Sequence, residues 1–207
     1  MSTMTEPRAA VDYRVFRVTS PSAQRAVYRL RYDVYVTEMR RPQPYADHER
    51  RLVSDPLDKH GIVLSLHHDD EVVGTVRLNS LDGDVGPYRD LYALGHLVGT
   101  EASSHVIVTA LMFAPDHRGT AALVKVFQAC FAAAWERGVT TAWVDCNDHL
   151  VPMFLRFGFV RERRFLHPLY GEVQLLRLNL RDTAALRSTP FHPVQHDHRP
   201  FLPSAAS

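Results

Sequence analysis

Cysteine is nearly absent from this chain, with two in 207 residues. A disulfide framework is excluded as the source of stability, and Cys130 and Cys146 are expected to be free thiols of a reducing compartment. A charge of one sign is lacking too. The 24 basic and 23 acidic residues leave a net charge of +1, too weak a field to gather nucleic acid or an acidic membrane. No run reaches the roughly 18 apolar residues of a membrane span. Residues 1–10 hold no apolar stretch of signal-peptide length. The protein is therefore expected to be cytoplasmic, with no membrane span and no nucleic-acid partner. Internal repeats are also absent.

What is present is a globular composition, 45% apolar and 23% charged. The length is ample for one core and marginal for two. Twelve histidines raise the question of a metal. His67-His68 sits beside Asp69-Asp70 at a turn, and His192, His196 and His198 lie in a Pro-rich tail. Neither set has ligand spacing on a regular element, so no metal site is expected.

Periodicity supplies the elements. Residues 13–18 alternate as a strand. Ser20-Pro21 is an N-cap followed by proline at the first helical position. The helix it opens carries Ala23, Val27, Leu30 and Val34 on one face and is expected to reach Met39, before Pro42 and Pro44. A polar loop is expected over 40–59. Residues 61–67 and 71–79 make a hairpin about a His-Asp-Asp turn. Gly83, Gly86 and Pro87 break the chain, and 88–97 reads as a weak helix. Residues 106–113 form an apolar, β-branched strand. A short loop with Arg118-Gly119 leads into a helix over 120–137, with Leu123, Phe127, Phe131 and Ala134 inward and Gly138 as its C-terminal cap. A strand over 141–146, a short helix and strands over 160–166 and 172–181 follow. The order is β-α-β-β-(α)-β-α-β-α-β-β. Three regions result: a flexible leader over 1–12, one α/β domain over 13–181, and a Pro/His-rich tail over 182–207 read as an extended arm or disordered.

The chemistry starts at Arg118-Gly119. Backbone N–H groups at a helix start lack partners within the helix and sit at the positive end of its dipole. Strand, Arg-Gly turn and helix together make a cradle for a phosphate or pyrophosphate. The segment Asp116-His117-Arg118-Gly119-Thr120-Ala121 resembles motif A of the Gcn5-related N-acyltransferases, Gln/Arg-x-x-Gly-x-Gly/Ala. Arg118, Gly119 and Ala121 fit; Asp116 places a carboxylate where an anion should lie. Thr141-Ala142-Trp143-Val144-Asp145-Cys146-Asn147 and Met153-Phe154-Leu155-Arg156-Phe157-Gly158-Phe159 resemble motif B of the same family. Phe154 stands where a tyrosine often protonates the leaving thiolate.

The resemblance implies a central mixed, mostly antiparallel sheet with helices on both faces and a splay between the two central strands. It implies an acyl transfer from a pantetheine thioester to an amine, with acyl carrier protein or coenzyme A thioester as co-substrate and no tightly bound cofactor. Leu111, Met112 and Phe113 would offer backbone N–H groups to the thioester carbonyl, an interaction commonly worth ~3 kcal/mol. Arg118, Gly119, Thr120, Ala121, Ala122 and Asn147 complete the thioester and pantetheine site. Tyr88, Tyr92, Leu94 and Leu97 have the spacing of core residues or of acyl-tunnel walls.

The first eighty residues resemble a narrower branch. Arg31-Tyr32-Asp33-Val34-Tyr35, Asp55-Pro56-Leu57-Asp58 and Gly74-Thr75-Val76-Arg77-Leu78 are similar to the bacterial N-acyl amino acid synthases, relatives of the acyl-homoserine-lactone synthases. The resemblance implies site roles for Arg31, Asp55, Asp58 and Arg77, and acyl carrier protein as donor. The lactone synthases carry Glu-x-Ser/Thr-Arg on the motif A strand. Here Ile107-Val108-Thr109-Ala110 aligns, so lactone formation is disfavoured and an amino acid or other small amine is expected as acceptor.

Physical chemistry agrees in kind. Arginine grips a carboxylate by two parallel hydrogen bonds, and Asp55 or Asp58 could hold an ammonium or accept its proton. Glu38 and Glu49 are further candidates; Asp47 to Arg51 reads as a solvated loop. The alternative is a purely structural ion-pair network. An α-amine near pKa 7.7–8.0 costs only ~1 kcal/mol to deprotonate at pH 7, against ~4.6 kcal/mol for lysine. A missing motif B tyrosine is therefore more tolerable for a small α-amine. Two rival functions remain open: an ordinary acetyl-coenzyme A N-acetyltransferase and a non-catalytic sensor on the same fold.

Overall fold

The computed structural model describes residues 12–191. Apart from Asp12, the expected leader lies outside them, as do residues 192–207 with His192, His196 and His198. Alternating apolar positions build one seven-stranded sheet, ordered β1-β4-β5-β6-β7-β9-β8. Its strands are β1 (Tyr13–Arg17), β4 (Gly61–His68), β5 (Glu71–Ser80), β6 (His105–Phe113), β7 (Thr141–Cys146), β8 (Val160–His167) and β9 (Gly171–Asn179). Neighbours run antiparallel except β6 and β7, which are parallel. This is the expected mixed, mostly antiparallel architecture.

Helix α4 (Thr120–Trp135) and helix α5 (Val151–Arg156) cover one face. Val76, Leu78, Val106, Val108, Ala142 and Val144 meet Leu123, Val126, Phe127 and Phe154 there in the main apolar core. Gly138 closes the α4 end at φ 72°, as expected of a C-terminal cap. Helix α1 (Pro21–Tyr32), helix α2 (Tyr88–Leu91) and helix α3 (Gly99–Ser103) belong to the other face. Gly74 on β5 has a steric reason: a Cβ there would lie 2.8 Å from Phe113 Cδ1 on the adjoining strand.

Four stretches differ from expectation. The first helix reaches the expected length, but Asp33–Glu38 is wound as a π-helix, with Met39 N donating to Val34 O at 3.0 Å. Widening the turn brings both Val34 and Tyr35 to the central cavity. The polar loop over 40–59 contains a ribbon of β2 (Ala46–Asp47) and β3 (Leu52–Val53) and a 3₁₀ turn, Pro56–His60. Elements this short carry no readable period. Of 88–97 only Tyr88–Leu91 is helical; Tyr92, Leu94 and Leu97 reach a second core from irregular backbone, with Ala93 at φ 55°.

The chain beyond Asp182 packs rather than extending as an arm, as far as it is described. Helix α6 (Thr183–Leu186) is capped by the Asp182 carboxylate, and Leu186 and Phe191 are buried against the main core. Phe191 stacks on Phe131 at 5.0 Å. No helix of the described residues is long and apolar enough to cross a membrane.

Candidate active site

Two irregularities of the sheet open the site. Strands β6 and β7 pair only from His105↔Thr141 to Ile107↔Trp143. Beyond Ile107, β6 has no partner on that side, which is the splay expected between the central strands. On its other side, the β5–β6 register shifts between Thr75 and Arg77, and Ala110 sits at φ 51°. This is a β-bulge with a non-glycine residue in the left-handed region, a strained conformation of the kind that collects at functional sites. No sequence signal marks it, because a positive φ is signalled by glycine, and Ala110 is not one. Past it, Ala110, Leu111, Met112 and Phe113 line a cavity of about 1360 Å³.

On the α1 side of the cavity stands a charged cluster. Arg31, in the last turn of α1, meets Asp58 through two hydrogen bonds, Nη1–Oδ2 at 2.6 Å and Nη2–Oδ1 at 3.0 Å. Arg77 on β5 reaches Asp55 Oδ2 at 2.8 Å and Asp58 Oδ1 at 3.2 Å. Its Nε donates to Thr109 Oγ1 on β6 at 3.1 Å. Asp55 also caps the 3₁₀ turn, its Oδ1 accepting from Leu57 N at 2.9 Å. Burial opposes the Arg77 charge, and Asp55 and Asp58 beside it more than offset this, so its pKa lies above the ordinary arginine value.

Sequence reasoning grouped these four residues, and the structure brings them together with different exposures. The side chains of Arg31, Arg77 and Asp58 are 1%, 1% and 6% exposed, while Asp55 is 26% exposed. Arg31, Asp55 and Arg77 border the cavity; Asp58 does not. The cluster is charge-balanced, and Asp55 is its more exposed carboxylate.

Arg118, Gly119 and Thr120 also line the cavity, but Ala121 and Ala122 do not. Gly119 heads α4 with no side-chain cap. The Arg118 guanidinium is already engaged, with both Nη atoms 2.6 Å from the Glu38 carboxylate and Nε donating to Phe113 O at 3.1 Å. The Arg118 hydrogen bonds hold the Glu38 carboxyl below its usual pKa. Asp116 is exposed and stands outside the cavity lining, as does Glu49.

Motif B contributes Asn147 and Phe154 to the lining. Phe154 is 2% exposed within the aromatic core beside Phe127 and Phe159. Cys146 is buried and its thiol is pushed up to about 12 by desolvation, and the Cys130 thiol is raised for the same reason. Neither is a nucleophile at neutral pH. Among the described residues, no three His, Cys, Asp or Glu side chains are grouped to hold a metal.

An aromatic group completes the lining; Tyr88 was among the residues expected as core or tunnel wall, whereas Tyr35, His167 and Tyr170 carried no such expectation. Tyr35 stacks with Tyr170, Tyr170 with His167 at 4.4 Å, and Tyr88 meets Tyr92 at 5.5 Å. Tyr35, Tyr88, His167 and Tyr170 line the cavity with Asp145 of β7. Burial pushes Asp145 up to about 6. An aspartate following Thr141-Ala142-Trp143-Val144, on the same side of the strand as Trp143, was the available signal.

Comparison with known proteins identifies the family and the fold. Residues 26–179 match the family described as N-acyl amino acid synthase FeeM. No curated protein matches the sequence. The fold is similar to that of FeeM, an N-acyl amino acid synthase from uncultured soil microbes, at 13% identity and TM-score 0.66 over 87% of this chain and 96% of that one. It is similar to BjaI, a CoA-dependent acyl-homoserine lactone synthase solved with SAM and isopentyl-CoA, at 14% identity and TM-score 0.71 over 95% of each chain. The AHL synthase LasI shares 16% identity at TM-score 0.66 over 86% of this chain and 95% of that one. The match over 26–179 shows that this chain is an N-acyltransferase belonging to the FeeM N-acyl amino acid synthase family.

Proposed function

We propose that this enzyme transfers an acyl group from a pantetheine thioester, with acyl carrier protein as the favoured donor, to the amine of an amino acid or similar small molecule. The observation that carries the reading is one cavity bordered by both the open β6 edge and the Asp55–Arg77 pair. The first suits a thioester carbonyl; the second suits an acceptor bearing charges of both signs.

In this reading the β6 amides near Leu111, Met112 and Phe113 face the carbonyl oxygen as it gains charge. The α4 start, with Gly119, Thr120, Ala121 and Ala122, takes the pantetheine phosphate with Arg118, and Asn147 flanks the thioester arm. Asp55 and Arg77 orient the acceptor, while Arg31 and Asp58 hold that pair in place. The amine nitrogen attacks the carbonyl carbon, the C–N bond forms, the C–S bond breaks, and the thiol leaves. The donor is a co-substrate, with no resident cofactor required. The volume of about 1360 Å³ exceeds the ~300–1,000 Å³ of ordinary ligand pockets, which supports an acyl chain longer than acetyl. Glu38 on Arg118 and Asp116 nearby weaken the hold on a nucleotide, which supports a carrier-protein donor. Two buried free thiols support a cytoplasmic setting.

A second reading, acetyl-coenzyme A as donor, is favoured by the uncapped α4 start. A thiol-release assay crossing acetyl-coenzyme A and long-chain acyl carrier protein with a panel of amino acids separates the two, with products identified by mass. N-acyl amino acid formed from the carrier protein is the expected result. Turnover of acetyl-coenzyme A alone establishes the second reading, and silence from both donors leaves a non-catalytic domain.

A further inference from the structure

We propose that Asp145 is the residue that takes the proton from the acceptor amine. The proposal rests on the acyl-transfer reading above and adds to it the base that β6 lacks, since Ile107 to Phe113 includes no carboxylate.

Position is the first argument. Strand pairing between β6 and β7 ends at Ile107↔Trp143. Side chains two apart on a strand share a face. Asp145 is therefore the first β7 residue on the Trp143 face beyond the point where the strands part. Ile107, Trp143 and Leu175 pack in one core with Tyr92 on that face. Thr109, two residues past Ile107 and hydrogen-bonded to Arg77, shares it, so the charged cluster and Asp145 face the same side of the sheet. Asp145, Thr109, Arg77, Asp55 and Tyr88 all line the one cavity.

Missing partners are the second argument. Asp145 Oδ2 and Tyr92 Oη are both buried and neither makes a well-formed hydrogen bond to a described residue, although Tyr92 lies near enough to act on the carboxyl as a donor. Buried carboxylate oxygens are normally satisfied, and an exception asks for an explanation. Among the described residues, no cation is provided by the groups packed around it. Tyr88 and Tyr92 face it from the α2 segment, Leu175 is its register partner on β9, and Cys146 adjoins it on β7. Tyr88 also stands within electrostatic reach of Arg77 and Asp55. A buried carboxylate with tyrosine rings around it and no cation beside it among the described residues is a place for an ammonium.

Chemistry is the third. Desolvation raises the Asp145 carboxyl from 3.8 to about 6. An α-ammonium near 7.7–8.0 therefore gives up its proton to this carboxylate about a hundredfold more readily than to an ordinary aspartate. The proton moves from ammonium to Asp145, and the freed lone pair attacks the carbonyl carbon. As the C–S bond breaks, a second N–H proton ends on the thiolate, and Asp145 returns the first to solvent.

The test compares wild type, Asp145→Asn and Asp145→Glu with acyl carrier protein thioester and amino acid, reading kcat from pH 5 to 9. Wild type is expected to gain rate through an inflection near 6. Asp145→Asn is expected to lose roughly 10²–10⁴ in kcat and the inflection with it, while donor affinity holds and the melting temperature does not fall. Hydroxylamine, unprotonated at neutral pH, is expected to be acylated by Asp145→Asn within about tenfold of the wild-type rate. Asp145→Glu is expected to restore part of the lost rate. Wild-type kcat and pH profile in a folded Asp145→Asn overturn the proposal alone. An equal loss with hydroxylamine, or a collapse of melting temperature in both variants, overturns it in favour of a structural role. Failure of wild type with every donor and amine overturns the acyl-transfer reading and this proposal together.

Discussion

Two arginine–carboxylate pairs each send their arginine to the same cavity, and they differ in burial. Arg31–Asp58 is 1% and 6% exposed and bidentate at 2.6 and 3.0 Å. Arg118–Glu38 is 43% and 36% exposed and also bidentate, with both contacts at 2.6 Å. Geometry alone would rank them as equals. Burial separates them: water competes with the second pair, whereas breaking the first leaves an uncompensated charge in a low-dielectric place. The buried pair is fitted to hold a wall still. The exposed pair can open at little cost.

The sharpest way to break that comparison is Arg31→Ala. It strands Asp58 without its bidentate partner, and a loss of about 3–5 kcal/mol in unfolding free energy is expected by denaturant titration. A cost under 1 kcal/mol would reduce the buried pair to the status of the exposed one.

Asp145 extends the contrast to a carboxylate set apart from water with no cation beside it among the described residues. Its folded pKa of about 6 lies above its ordinary 3.8, so the folded state binds more protons between those values. Stability therefore falls as pH rises from about 4 to 6 and stays low above that. Asp145→Asn removes this penalty, and a gain of roughly 1–3 kcal/mol at pH 7 is expected alongside the loss of activity. Chemical unfolding of both proteins at pH 4 and pH 7 checks it: the advantage of the variant should vanish at pH 4.

Asp55→Asn tests the half of the cluster that meets the cavity. Acyl transfer is expected to fall by about 10–100-fold, with a stability cost of about 1–2 kcal/mol from the weakened Arg77 contact. A large stability loss with rate unchanged would make Asp55 a partner of Asp58 in holding the wall, with no acceptor contact.

The smallest effect belongs to Glu38→Gln. Stability should stay within about 1 kcal/mol, and freeing Arg118 should lower KM for coenzyme A thioesters by about 3–10-fold. An unchanged KM would mean that Arg118 does not meet the donor.

Legibility in the sequence followed range. The hairpin of β4 and β5, the cap at Ser20, the Gly138 terminus and the strand–turn–helix at Arg118 were readable because each rests on neighbours within a few residues. Arg31, Asp55, Asp58 and Arg77 were readable as a group only through resemblance, since nothing in their spacing pairs Arg31 with Asp58 rather than Asp55. Glu38 was named as a reserve acid, but its hold on Arg118 joins positions 80 apart in the chain. The packing of Phe191 on Phe131 was hidden by a segment that looked polar and broken. Ala110 at φ 51° was hidden because the bulge is imposed by register with β5, not by alanine itself.

By itself the sequence determined the order of the seven main strands and the helices α1, α4 and α5, the apolar faces, the anion-ready turn before α4, and the shortage of cysteine and of net charge. These depend on local propensity and period, which act within a turn or a strand. The tertiary structure alone decided which arginine meets which carboxylate, where β6 and β7 part, and that Asp145 is left without a cation among the described residues. Those outcomes depend on distances between segments far apart in the chain and on how much water remains between them, quantities that only the closed sheet and its two covered faces define.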